Sequence, residues 1–266
     1  MGTDAYVQCN CFKEGKVKTP PFDKDLIIFE NSILDLSQSA DDATWRKFIK
    51  WKEDACEHRG FHLIYERISN ASGSKFFWNA IKIIGIEYFP TINSMWKDGQ
   101  IQSEIAVKAL TELKFMMSKV NKLEGNFLID QDTKEEYYST LAGEDEWFYS
   151  HGWEFKYRLS DKGFYINNSE DKILFLSSDF KQKVKTVKGL GKVKYNVKFR
   201  DVETGLVYKS LQPFSKCINW ERKEFYFPQK LSVIKRNLNI HDFNSIGTLE
   251  KLFKASIITG NPVVMK

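Results

Sequence analysis

The stretch KQKVKTVKGLGKVKYNVKFR, residues 181–200, decides how the second half of this chain folds. It contains eight lysine and arginine residues and no acidic residue, and apolar residues alternate with the basic ones. A period of two places alternate side chains on opposite faces of a β-strand. A turn at Gly189-Leu190-Gly191 would pair the two halves. The stretch therefore predicts an antiparallel hairpin with one basic and one apolar face.

The rest of the chain divides into a helical and a strand-rich region. Helical spacing of apolar residues dominates up to about residue 125, after an opening strand predicted over Asp4–Phe12. We expect Asp41-Asp42 to cap the first helix and a longer helix to start near Ser103. From residue 126 onward, short alternating runs separated by turn residues predict an antiparallel β-meander, closed by helices at Leu231–Asn237 and Thr248–Ile258. We expect an α+β protein with regions 1–125 and 126–266, which could also form one continuous domain.

Charge is distributed unevenly between the two halves. Residues 1–150 carry a net charge of −6 and residues 151–266 carry +11, which together give the total of +5. A dedicated nucleic-acid-binding protein is usually basic throughout, so this asymmetry favours a positive surface confined to the second half. No apolar run reaches the length of a membrane span, and the first residues lack the pattern of a signal peptide. With four cysteines in 266 residues, these features predict a cytoplasmic protein without a disulfide framework.

Two short motifs in the first quarter combine soft metal ligands. They are Cys9-Asn10-Cys11 and Cys56-Glu57-His58. Three thiolates and one imidazole form a common zinc-ligand set, so Cys9, Cys11, Cys56 and His58 are candidate zinc ligands. A redox-active dithiol of Cys9 and Cys11 is a second possibility, and the interpretation we favour is that of buried cysteines beside a surface histidine, with no cofactor bound. In each case we expect the four residues to converge in space.

No catalytic motif emerges from the sequence. It contains neither the Gly-x-Ser-x-Gly motif of many hydrolases nor the His-Glu-x-x-His motif of zinc proteases. We therefore predict no catalytic residue and favour a protein that is not an enzyme.

The basic face of the predicted hairpin is the candidate surface for a partner. An acidic protein or phosphate groups would suit it, whereas a purely structural role would be to protect an edge strand from aggregation. No aromatic residue of the hairpin alternates onto this face, which disfavours stacking of nucleic-acid bases and predicts weak nucleic-acid binding at most. The candidate partner-binding residues are Lys183, Lys185, Lys192, Lys194, Lys198 and Arg200.

Four segments resemble bacterial proteins akin to the immunity proteins that accompany polymorphic toxins. They are residues 1–15, Trp51–His58, Glu66–Asn70 and Thr259–Pro262. The resemblance implies a non-enzymatic cytoplasmic protein that neutralises a protein toxin by binding it. The alternatives are a thiol- or zinc-dependent enzyme centred on the Cys/His motifs and a nucleic-acid-binding module that uses the hairpin.

Overall fold

The computed structural model describes residues 2–30, 33–151, 154–188 and 193–266. These residues form two compact units: unit 1 comprises residues 1–120 and 239–266, and unit 2 comprises residues 121–238. The α-helices are α1 (Asp42–Lys52), α2 (Ala71–Ile84), α3 (Pro90–Asp98), α4 (Ser103–Lys119) and α5 (Asn244–Thr259). Short 3₁₀ helices lie at Lys24–Leu26, Arg59–Phe61, Ile86–Tyr88, Val120–Lys122 and Ile240–Asp242. Among the described helices, none is long and apolar enough to cross a membrane.

The strands are divided between the same units. Those of unit 1 are β1 (Thr3–Gln8), β2 (Ile27–Glu30), β3 (Ile33–Leu36), β4 (His62–Ser69), β5 (Gln100–Ile101) and β18 (Val263–Met265). Those of unit 2 are β6 (Glu124–Asp130), β7 (Glu136–Leu141), β8 (Glu146–His151), β9 (Phe155–Ser160), β10 (Gly163–Asn168), β11 (Ile173–Ser177), β12 (Asp179–Lys188), β13 (Val193–Asp201), β14 (Val207–Ser210), β15 (Lys216–Asn219), β16 (Glu224–Tyr226) and β17 (Lys230–Asn237). The mixture of helices and antiparallel strands confirms the predicted α+β class.

Unit 1 contains a four-stranded sheet in the order β4-β1-β18-β5. The last strand pairs with the first, with Val263 opposite Val7, and it also pairs with β5. Helices α4 and α5 pack together, and α5 also packs on β1 and β4. The sequence assigned the last helix and strand to the second region. They belong to unit 1 instead, because pairing between residues more than 250 positions apart leaves no local signal.

Local sequence signals place several helix starts in unit 1 correctly. The side chain of Asp41 accepts a hydrogen bond from the backbone N–H of Thr44 (2.7 Å) and caps α1. Helix α4 begins at Ser103, as predicted. The opening strand, in contrast, ends at Gln8, four residues before the predicted end. Helix α3, which the sequence did not predict, begins with Pro90 at its first position, where the missing N–H costs nothing.

Unit 2 is built from β-strands. A six-stranded sheet has the order β14-β13-β12-β17-β6-β7, a four-stranded sheet has the order β11-β10-β9-β8, and β15 pairs with β16. Side chains from both larger sheets share one core that is rich in phenylalanine, including Phe164, Phe180 and Phe199. The strand order departs from a simple meander, since β17 lies between β12 and β6.

The helix predicted at Leu231–Asn237 is wrong, because these residues lie within strand β17. They pair along their whole length with β6, from Leu231 opposite Asp130 to Asn237 opposite Glu124. Burial of Leu231 in the core of the sheets accompanies this pairing. A seven-residue stretch has a weak local preference, so the cross-strand contacts decide its conformation.

Candidate metal centre and basic sheet face

Two loops of unit 1 bring together Cys9, Cys11, Cys56 and His58, named here the Cys/His cluster. The first loop leaves β1 at Cys9, whose backbone N–H donates to the carbonyl oxygen of Phe61 (2.8 Å). The chain then turns back at Cys11, whose carbonyl accepts from the N–H of Lys16 (2.8 Å). Because the strand has ended, the two thiols are not held on a fully extended backbone.

The second loop follows α1. Its start is attached to the first loop by a hydrogen bond from the N–H of Lys18 to the carbonyl of Ala55 (2.8 Å). Its end is a tight turn in which Phe61 N–H donates to the carbonyl of His58 (3.0 Å). Gly60 lies in this turn with φ +63°, in the left-handed region that glycine adopts without strain. The core around Phe48 and Trp51 packs against the cluster and excludes water from one side.

The geometry of the cluster fits a tetrahedral zinc ion. All four ligand atoms lie within 4.8 Å of one another. Cys9 Sγ and Cys56 Sγ are 3.9 Å apart, and Cys11 Sγ is 3.3 Å from His58 Nδ1. Tetrahedral zinc with Zn–S bonds of 2.3 Å and Zn–N bonds near 2.0 Å separates its ligand atoms by about 3.8 Å and about 3.5 Å, respectively. The predicted convergence of these four residues is therefore confirmed, and small adjustments would accommodate the ion.

Burial controls the protonation of the thiols. Burial raises the pKa of Cys9 to about 12, and burial also raises the pKa of Cys11. Without a metal ion, both groups are therefore neutral thiols at neutral pH. A redox-active dithiol needs a nucleophilic thiolate, which is the species that this environment disfavours. A zinc ion would stabilise both thiolates by direct coordination and release their protons.

The number of ligands limits the chemistry of the centre. Four protein ligands complete a tetrahedral zinc site, whereas catalytic zinc ions keep one position open for water or substrate. The Cys/His cluster thus has the composition of a structural centre that joins the loop after β1 to the loop after α1. The fourth cysteine, Cys217, lies in β15 of unit 2 and is not part of the cluster.

The basic residues predicted from the hairpin do share one face of the six-stranded sheet. Residues that lie directly opposite each other in antiparallel strands point to the same side of the sheet. Lys183 lies opposite Lys198, and Lys181 lies opposite Arg200. Lys185 and Lys194 lie on the same side by alternation, whereas Lys192 and the Gly189-Leu190-Gly191 turn lie outside the described residues. The structure adds two lysines from neighbouring strands, Lys209 opposite Lys198 and Lys230 opposite Lys181. The face, named here the basic face, comprises Lys181, Lys183, Lys185, Lys194, Lys198, Arg200, Lys209 and Lys230.

The charges of the basic face lack internal partners. All eight side chains are exposed, and no acidic residue in the described parts of the chain forms an ion pair with any of them. Adjacent strands are about 4.8 Å apart, so these like charges repel one another across the sheet. The face stores an unfavourable electrostatic free energy that a negatively charged partner would relieve.

A groove of about 1020 Å³ lies over part of the basic face. Four residues of the basic hairpin, Lys181, Lys183, Lys198 and Arg200, line it, together with Lys230. The β15–β16 hairpin and the residue after it line the groove with apolar and aromatic side chains, which are Ile218, Phe225, Tyr226 and Phe227. Within the hairpin, Tyr195 and Phe199 point to the opposite face, as predicted, so the aromatic residues of the groove come from elsewhere in the chain. They come from a separate hairpin, and no pattern within 181–200 could have revealed them.

No family model, curated protein or solved structure matches this chain. The resemblance to immunity proteins thus has no support beyond the four segments that carry it. The geometry of the Cys/His cluster and the charge of the basic face remain as the guides to function.

Proposed function

We propose that this chain is a non-enzymatic binding protein that captures an acidic surface of another protein with the basic face. The observation that carries the proposal is the row of exposed cations without acidic partners among the described residues. The immunity role suggested by the sequence is the form of this function that we favour. Neutralisation would follow from covering the surface that a toxin needs for its activity.

Electrostatics supports a binding role for this face. Oppositely charged surfaces accelerate encounter and exclude partners with the wrong charge. The apolar residues of the groove would supply binding free energy, because buried aromatic side chains contribute much of it at protein interfaces. Exposed Ile218 and Trp220, on and beside β15, extend this apolar surface.

Reversal of charge on the basic face tests the proposal. The partner would be sought among the products of neighbouring genes, where the proposal expects a protein toxin, and its association would be measured by stopped-flow fluorescence at two salt concentrations. Replacing Lys183, Lys185, Lys194 and Lys198 with glutamate should slow association at least about tenfold and weaken its salt dependence. Charge reversal at Lys82, Lys97, Lys108 and Lys114, four exposed lysines of α2, α3 and α4 in unit 1, changes the net charge equally, so it is the matched control and should change little. An unchanged association rate in the quadruple variant of the basic face would refute the proposal.

The Cys/His cluster supports a second function, the binding of one structural zinc ion. The separations between its ligand atoms carry this proposal. The alternative of a zinc- or thiol-dependent enzyme fits less well, because all four coordination positions are filled by protein and the buried thiols are kept neutral.

Metal analysis after purification without chelators tests the zinc proposal. We expect one zinc ion per chain in the native protein and in Cys217→Ser, and none in Cys56→Ser. Substitution with cobalt should give the absorption spectrum of tetrahedral thiolate coordination. A native protein that binds neither metal would exclude the centre.

A further inference from the structure

Strand β12 has an outer edge that other strands cover only at its beginning. On its inner side, β12 pairs with β13 along the whole strand, from Phe180 opposite Asp201 to Lys188 opposite Val193. On its outer side, β17 pairs only with Asp179–Lys181. One further bond follows, from the N–H of Gln182 to the carbonyl of Gln229 (2.8 Å). For the remaining six residues of β12, no described strand pairs on this side.

The direction of the backbone groups follows from the observed bonds. The N–H of Val202 donates to the carbonyl of Asp179 (2.9 Å), so odd-numbered residues of β12 bond towards β13. Even-numbered residues must direct their N–H and C=O groups outward, as the bond from Gln182 shows. For Val184 and Thr186, no described residue provides a backbone partner on that side. This segment of β12 is therefore an open sheet edge.

The open edge borders the groove. Val184 lines the groove, yet its side chain packs against the core on the opposite face of the sheet. The part of Val184 that faces the groove therefore lies at the edge of the strand. Lys181 and Lys183 provide positive charge beside this edge, and Phe225 and Phe227 provide apolar surface within the same groove. Backbone hydrogen-bonding groups, cations and aromatic rings thus border the same groove.

We propose that the partner places an extended acidic segment in this groove, where it adds a strand to the outer edge of β12 at Val184 and Thr186. Strand addition is an established mode of peptide recognition, in which backbone hydrogen bonds provide affinity and alternate side chains provide specificity. Alternate residues of an extended peptide repeat every 6.6 Å or so, which matches the spacing of Lys181, Lys183 and Lys185. The preferred segment therefore carries aspartate or glutamate at every second position. The inference rests on the function proposed above and specifies the form of the partner.

Charge argues against a second copy of this chain as the occupant of the edge, and backbone chemistry argues against nucleic acid. A second copy of this chain would place the lysines of one β12 against those of the other, which is the arrangement that protects natural edge strands from pairing. Single-stranded nucleic acid would satisfy the lysines, but its backbone lacks the alternating N–H and C=O groups that the edge requires.

A proline substitution tests strand addition directly. Thr186 is exposed and its N–H points away from β13, so Thr186→Pro removes an outward donor without breaking the β12–β13 pairing. Thr186→Val is the matched control, because it retains the N–H. The probe is a soluble decapeptide of alternating glutamate and valine, titrated by calorimetry. Loss of about one backbone hydrogen bond should weaken binding three- to tenfold in Thr186→Pro and leave binding to Thr186→Val unchanged.

Hydrogen exchange provides the second readout. Peptide binding should slow exchange of the amide protons of Val184 and Thr186 in the wild-type chain. One outcome would refute strand addition: Lys183→Glu weakens peptide binding, Thr186→Pro does not, and neither amide is protected. In that case the capture of an acidic partner would still be supported. If the acidic decapeptide does not bind, the extended-segment inference fails, and the association rates of the acidic protein partner still decide the proposed function. Tighter binding of a deoxythymidine decamer than of the peptide would overturn the class of partner.

Discussion

The Cys/His cluster of unit 1 and the basic face of unit 2 are both groups of polar side chains, but their side chains point in different directions. In the cluster, four ligand atoms point inward to one place, and a single small ion could satisfy them all. In the basic face, eight cations point outward and leave their charge to be balanced from outside. The contrast indicates that the convergence of side chains, rather than their chemical type, would distinguish a site for a metal ion from a surface for a partner.

The largest expected effect is the loss of zinc from the Cys/His cluster. Zinc at 1,000 times its dissociation constant stabilises the state that binds it by about 4 kcal/mol, so chelation or Cys9→Ala should lower the free energy of unfolding of unit 1 by an amount of this order. Chemical denaturation, followed by tryptophan fluorescence to which Trp51 in the adjacent core contributes, measures the change. Cys217→Ala should respond to added zinc as the wild-type chain does. Equal stability with and without zinc would show that no metal ion at the Cys/His cluster stabilises unit 1.

Zinc should add a loss of stability at acidic pH to a chain that otherwise loses stability at alkaline pH. In the metal-free chain, the pKa of Cys9 is raised from 9.0 to about 12, so its contribution is fully present below pH 9 and is lost as pH rises towards 12. In the zinc-loaded chain, protons compete with the metal for thiolate and imidazole, so the stabilisation by zinc should fall as pH decreases from 8 to 5. Denaturation curves at several pH values, with zinc and with chelator, test both trends. Parallel trends in the two series would contradict the assignment of Cys9 as a ligand.

A smaller effect of unusual sign is expected on the basic face. Lys198→Glu places an acidic side chain opposite both Lys183 and Lys209 and should raise the free energy of unfolding by about 0.5 kcal/mol at low salt. Lys216 pairs with Glu135 at 2.8 Å, so Lys216→Glu should lower stability by a similar amount. Both effects should shrink at high salt, because the charges are exposed. Destabilisation by Lys198→Glu would show that the basic face is already satisfied within the chain.

The smallest effect concerns nucleic acid. The basic face should bind a labelled duplex weakly and without sequence preference, with a dissociation constant above about 10⁻⁶ M at physiological salt. Fluorescence anisotropy at two salt concentrations provides the measurement. Tighter, sequence-dependent binding would favour a nucleic-acid interface over the proposed protein-binding surface.

The sequence by itself determined the features that depend on neighbouring residues. The cap at Asp41, the start of α4 at Ser103 and the basic and apolar faces of the hairpin all follow from local hydrogen bonding and from the period of two or 3.6 residues. The two Cys/His motifs were visible for the same reason, since each is contained within three residues.

Only the tertiary structure decided how distant segments meet. Cys9 and Cys56 are 47 residues apart, and their approach depends on the end of β1 at Gln8 and on the packing of the two loops around Trp51. Long-range packing also decides three other features. These are the pairing of β18 with β1, the strand conformation of residues 230–237 and the position of the aromatic residues that line the groove. Such contacts are chosen by the free energy of the whole folded unit, and short sequence patterns carry little information about them.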